Sequence, residues 1–107
     1  MNIEIAPKET EIQANWVDAR FYCFSLNIDG KVGWRLPTKE ELNAIYQSEN
    51  DFMEYWYWSS TEYNGGFVWK ECPMDNEYIW CQSFNAGNQG GNLKVNRDYF
   101  VRAVRSL

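Results

Sequence analysis

The apolar period of this chain changes once, near residue 50, and that change restricts the fold more than any other feature. Trp16, Ala19, Cys23 and Leu26 recur at spacings of three, four and three, the stripe of a helix that Asn15 is placed to cap. Asp29-Gly30 is expected to end that element. Pro37-Thr38-Lys39-Glu40-Glu41 predicts a second helix, with Thr38 and Glu41 set for a reciprocal capping box and Leu42, Ile45 and Tyr46 as its buried face. From Trp56 onward apolar and polar residues alternate instead. Trp56–Thr61 and Tyr78–Phe84 read as strands, and Asp98–Arg105 as a final alternating strand. Tyr63-Asn64-Gly65-Gly66 carries a turn signal, and Phe67–Glu71 reads as the hairpin partner of the strand at 78. Ile3 and Ile5 add a short strand ahead of Pro7. The order predicts an α+β domain, one unit over residues 1–107, with helices and sheet segregated along the chain.

Composition decides which partners are out. The 107 residues carry 15 acids against 10 bases, a formal charge of -5, which argues against a nucleic-acid partner or an anionic membrane surface. The imbalance is local, with 11 acids and 5 bases in residues 1–62 but 4 acids and 5 bases in residues 63–107. The late cations Lys94, Arg97, Arg102 and Arg105 are expected to pair with the acidic helices. The chain has no histidine, so His-based acid–base pairs and His-ligated metals are excluded; no metal site and no cofactor is expected. Aromatics make up 18% of the residues, far more than a disordered segment carries.

Met1–Pro7 has neither a basic start nor an apolar run, so it does not read as a signal peptide, and synthesis in the cytoplasm is expected. No apolar stretch is long enough for membrane insertion. Cys23, Cys72 and Cys81 form no CxxC pair and are odd in number, which predicts free, mostly buried thiols; a Cys72–Cys81 bridge across a hairpin is the alternative.

Asn15–Cys23, Gly33-Trp34-Arg35-Leu36-Pro37-Thr38-Lys39-Glu40-Glu41-Leu42, Tyr57-Trp58-Ser59-Ser60-Thr61, Trp80–Gly87 and Val101-Arg102-Ala103-Val104-Arg105 follow one another in a specific order. Together they resemble the C-terminal domain family of bacterial collagen-like adhesins, a domain of unknown function. The resemblance runs from about Trp16 to Arg105. It implies a C-type-lectin-like fold, two helices packed on a twisted antiparallel sheet with adjacent termini, and it turns the Trp80 and Phe84 face of their strand inward. The family's ligands are sulfated polysaccharides on a basic surface, whereas this chain is acidic. The E-P-N, Q-P-D and W-N-D motifs of calcium-dependent lectins are absent, so calcium-mediated sugar binding is not carried over.

Trp16, Trp34 and Trp58 are expected in the core, and Arg35 and Arg102 in internal ion pairs with helix carboxylates. Glu40 and Glu41 are adjacent on a helix and do not face each other, so they do not form a hydrolase pair. Gln82 is expected inside the domain with its hydrogen bonds satisfied. Asn85–Asn92 reads as an exposed polar loop without the Gly-Lys-Ser/Thr ending of a phosphate loop. By elimination, the candidate ligand-binding residues are Tyr63, Asn64, Trp69, Asn85, Asn88, Gln89 and Asn92: rings at a hairpin edge and amides that both donate and accept. The first functional reading is a recognition module for a glycan, a protein or a small molecule, of the kind found in bacterial or phage receptor-binding and virion proteins. The alternative is a small intracellular phage-type protein that sequesters or inhibits a host factor. An enzyme is disfavoured because no nucleophile–base pair is visible.

Overall fold

The computed structural model describes residues 2–63 and 78–107. Among the described residues eight strands form two sheets: β1 (Ile3–Ile5), β2 (Ile12–Gln13), β3 (Trp34–Arg35), β4 (Trp56–Glu62), β5 (Tyr78–Ser83), β6 (Gln89–Leu93), β7 (Phe100–Val101) and β8 (Val104–Ser106). A three-stranded sheet has the order β1-β8-β3, and a five-stranded sheet the order β2-β7-β4-β5-β6. All pairings are antiparallel except that of β4 with β7, which is parallel, so the larger sheet is mixed. The architecture is α+β, as the period change predicts. Ile3 pairs with Ser106, and the Leu107 amide donates to the Asn2 carbonyl at 3.0 Å, so the two ends of the chain lie side by side.

The helices α1 (Trp16–Ser25) and α2 (Lys39–Tyr46) start where their caps predict. Asn15 accepts the Asp18 amide at 2.9 Å, and Thr38 and Glu41 exchange side-chain and backbone bonds at 3.1 and 2.9 Å. The two helices cover opposite faces of the large sheet. Trp16, Ala19 and Cys23 of α1 pack with Trp58, Ile79, Cys81 and Val101, while Leu42 and Ile45 of α2 pack with Tyr57, Phe84 and Val104. Alternation along β4 and β5 therefore buries both sides of each strand.

The Trp-Ser-Ser-Thr block at 58–61 joins these layers. The β4 register shifts between Trp58 and Glu62, and there the Ser59 hydroxyl donates to the Trp80 carbonyl at 2.6 Å and accepts the Thr61 amide at 3.0 Å. A bulge disrupts the ladder, and the serine satisfies the backbone groups it leaves. The Thr61 hydroxyl in turn accepts the Lys39 amide at 3.0 Å, fixing the start of α2. Trp16 and Trp58 each donate an indole N–H across the α1 layer, to the Ser59 and Ala14 carbonyls, both at 2.9 Å.

Four expectations need correction. Helix α1 ends at Ser25, before Asp29-Gly30; those two residues, at φ 53° and 85°, instead form a tight two-residue turn closing the Ile28–Lys31 bridge. The stretch read as one final strand is two, β7 and β8, in different sheets. The break falls at Arg102-Ala103, where the buried Arg102 guanidinium turns inward to the Ala6 carbonyl at 3.2 Å and the Asp51 carboxylate at 2.8 Å. Of the late cations, Arg102 pairs with Asp51 and Glu11 and Arg105 with Glu4, strand and loop carboxylates rather than helix ones, while Lys94 lies over the Trp16 ring of α1 at 4.9 Å. The 85–92 segment is not one exposed loop, because Gln89–Asn92 belongs to β6 and pairs along β5. The predicted strand at 67–71 and the Asn-Gly turn lie outside the described residues.

Candidate functional site

Trp80 stands on the α2 face of β5, but the short helix starts beside it and covers it only with Lys39. The Lys39 Nζ lies 3.8 Å from the Trp80 ring centre, and the Tyr63 ring packs against the indole at 4.6 Å. Trp80 shares the inward face with Gln82 and Phe84, as the resemblance implies, but is only half-buried there because it lies at the margin of the α2 cover. The Tyr63 ring also lies over Gly91 of β6, where an added Cβ would meet its Cδ2 at 2.5 Å. Only a glycine lets that ring lie flat on the strand. The result is a two-ring surface with a cation over the face of the indole.

The amides of the sequence prediction divide by role. Gln82 is fully buried and satisfied, as expected: its Nε2 donates to Asn43 Oδ1 and the Gly87 carbonyl, both at 3.1 Å, and its Oε1 accepts from Gln89 Nε2 at 3.1 Å. Gln89 also donates to the Lys39 carbonyl at 2.8 Å, tying β6 to the first turn of α2. Asn92 donates to the Tyr99 hydroxyl at 2.8 Å and accepts the Leu93 amide at 2.7 Å. Gln89 and Asn92 thus hold the scaffold. Asn85 and Asn88 are exposed in the β5–β6 turn, whose Gly87 (φ 85°) sits under the Tyr46 ring. The Tyr63 ring lies over Trp80 and Gly91, three residues from Ser83 and from Asn88 respectively, so the ring surface and the exposed amides are about 10 Å apart at strand rise. Asn64 and Trp69 lie outside the described residues.

A second surface escaped the sequence reading. Val17, Phe21 and Phe24 of α1 are 45%, 70% and 82% exposed, on the side of the helix away from Trp16, Ala19 and Cys23. Their i, i+4, i+7 spacing was the available signal, and it was hidden because α1 is apolar on two sides. They form one wall of a half-open groove of about 520 Å³, with Trp34, Arg35, Leu36 and Ser60 opposite and Arg20 on the helix side.

Residues 4–105 match the Lcl C-terminal domain. The chain belongs to that family. No curated protein sequence matches it. The Lcl C-terminal domain is associated with adhesins and is not a known enzyme family, which suggests a role of the binding or adhesin type. In this Lcl C-terminal domain the described cysteines are covered and the Glu41 carboxylate is engaged. Burial pushes the Cys23 and Cys81 thiols up to about 12, far from thiolate formation at neutral pH. The Glu41 carboxylate is held by Arg35 and Thr38, with its pKa lowered chiefly by the Arg35 hydrogen bonds. Among the described residues no three Cys, Asp or Glu side chains converge as metal ligands, and no helix is long and apolar enough to cross a membrane.

Proposed function

We propose that this Lcl C-terminal domain is a non-enzymatic recognition module with a C-type-lectin-like fold, whose ligand lies on the part of the β5–β6 surface, on the α2 side, that α2 leaves partly open. The observation that carries the reading is the Tyr63–Trp80 ring pair with Lys39 at 3.8 Å from the indole. Half-buried rings beside a cation and backed by a rigid amide network suit an apolar sugar face or a protein side chain better than bond-making chemistry. A compact ligand takes the Tyr63–Trp80 end, with Asn64 and Trp69 next to it in sequence; only an extended one also reaches Asn85 and Asn88. A glycan is the first ligand class to test, and a protein or a small molecule follows. The acidic balance of residues 1–62 disfavours a long polyanion spread across the whole surface.

The test is a glycan array probed with the labelled domain, followed by titration of the best oligosaccharide into wild type, Trp80→Ala and Asn88→Ala. Trp80→Ala should weaken binding at least tenfold with little change in melting temperature, and Asn88→Ala should matter only for a long ligand. A hit bound equally well by Trp80→Ala would place the site elsewhere, and an array without hits would remove glycans from the reading.

A further inference from the structure

The groove along α1 lies on the opposite face of the large sheet from Trp80, because α1 packs with Trp58, Ile79 and Cys81 while Trp80 faces α2. Its floor is dry and fixed: Trp34 and Leu36 are each 2% exposed. Its wall is the reverse, with Phe21 and Phe24 standing 70% and 82% in solvent. Keeping two neighbouring phenyl rings in water is unfavourable relative to burying them, and contiguous apolar surface of this kind marks interaction sites.

Charge selects the occupant. Among the described residues, the charged ones lining the groove are Arg20 and Arg35 and no carboxylate lines it, although the chain as a whole is acidic. Arg35 is already saturated: its Nη atoms reach Glu41 at 2.7 and 2.9 Å, the Leu36 carbonyl at 3.2 Å and the Ser106 hydroxyl at 2.9 Å. Arg20 rests on the Trp16 ring at 4.7 Å and forms no ion pair among the described residues. The groove therefore presents one available guanidinium beside an apolar trough. It is half open, whereas small-molecule sites enclose most of their ligand, so it fits side chains carried on another backbone. A second copy of this chain fits poorly. Arg20 and Asp18 flank the Val17–Phe21–Phe24 stripe on opposite sides, so antiparallel pairing of α1 with its copy would set Arg20 against Arg20 and Asp18 against Asp18.

We infer that the α1 groove docks a segment of another protein that inserts bulky apolar side chains between Phe21, Phe24 and Trp34 and sets a carboxylate against Arg20. This surface is separate from the Trp80 face, and neither depends on the other.

A phage-displayed library of random dodecapeptides is selected on the wild-type domain, with subtraction on the Phe21→Ala/Phe24→Ala variant. Both positions are exposed, so that variant should melt close to wild type. The recovered sequences should share two large apolar residues and an Asp or Glu. A synthetic peptide of that sequence should bind at least tenfold more weakly to Phe24→Ala and at least threefold more weakly to Arg20→Gln. Replacing the peptide's acid by its amide should abolish the Arg20→Gln effect while the Phe24→Ala effect persists. Recovered peptides that lack an acid, or that bind the double variant equally, would overturn the inference. So would a wild-type dimer in sedimentation that the double variant abolishes, since the occupant would then be a second copy. Trp80→Ala should leave peptide binding unchanged, which separates this outcome from the fate of the glycan site.

Discussion

Arg35 and Glu41 meet in a two-point pair, Nη1 to Oε1 at 2.7 Å and Nη2 to Oε2 at 2.9 Å, and the same Oε1 accepts the Thr38 amide at 2.9 Å. One carboxylate thus closes the N-terminus of α2 and ties it to β3. Arginine is required there because its planar fork matches both oxygens, which a lysine ammonium does not.

The two partners of the cap should separate in a mutant series. Thr38→Ala removes one side-chain acceptor and should cost about 1 kcal/mol by urea denaturation. Glu41→Ala removes the other half of the cap and leaves Arg35 without its carboxylate, so it should cost more. Equal midpoints for wild type and Thr38→Ala would mean the cap contributes nothing to the folded state.

Arg102 is the costlier residue to lose. It is 2% exposed, its guanidinium lies 4.5 Å from the Phe52 ring, and it reaches Ala6 and Asp51 by hydrogen bonds and Glu11 at 3.8 Å. Glu11 Oε1 and Arg102 Nε are buried without a hydrogen bond of their own, so this ion pair is held at a distance. Arg102→Gln leaves the buried Glu11 carboxylate uncompensated and should cost about 3–5 kcal/mol in chemical denaturation. A loss below about 1 kcal/mol would show that the cluster is not a structural tie between the N-terminal segment and the β7–β8 crossover.

The particular residues that were legible in the sequence share a reason. Thr38 with Glu41, Asn15 with Asp18, and the Trp16-Ala19-Cys23 stripe act over three or four residues, so spacing alone exposes them. The split of the last strand does not, because it depends on Arg102 meeting Ala6 and Asp51, residues far away in sequence. Gln89 and Asn92 carry the composition of a loop but serve a strand, since β5 supplies the partners that make Gly90 and Gly91 tolerable. Of the candidate site, the ring end was visible as Tyr63, whereas the parts played by Trp80 and Lys39 needed the α2 start to be placed over β5. The outer stripe of α1 was legible too, but an apolar helix with two such faces hides which one is covered.

The thiols give a reactivity prediction. Cys23 and Cys81 are free and buried, 0% and 2% exposed, and Cys72, the partner in the bridge alternative, lies outside the described residues. Native protein treated with a thiol reagent at pH 8 should leave both unmodified by peptide mapping, and unfolding should make both react. Rapid native labelling of Cys81 would mean that its strand opens under native conditions. Because both groups titrate near 12 when folded and near 9 when unfolded, the unfolded chain binds fewer protons above pH 9. Stability should therefore decline as pH rises past that point.

On the acid side the sign reverses. Glu41, Asp51 and Glu4 all lie below their ordinary values of 4.5, 3.8 and 4.5, through hydrogen bonds chiefly from Arg35, from Arg102, and from Lys31 with Arg105. Each is ionised in the folded chain at a pH where the unfolded chain has begun to take up a proton. The stability they contribute is complete above about pH 5 and is lost as pH falls through their folded values. Melting temperature measured from pH 7 to pH 2.5 should stay level at first and then fall steeply below pH 5. Glu41→Gln keeps an acceptor for the Thr38 amide but does not titrate, so its curve should start lower at pH 7 and fall less steeply. Parallel curves for the two proteins would show that the Arg35–Glu41 pair has no part in the acid transition and that the loss arises at Asp51 and Glu4.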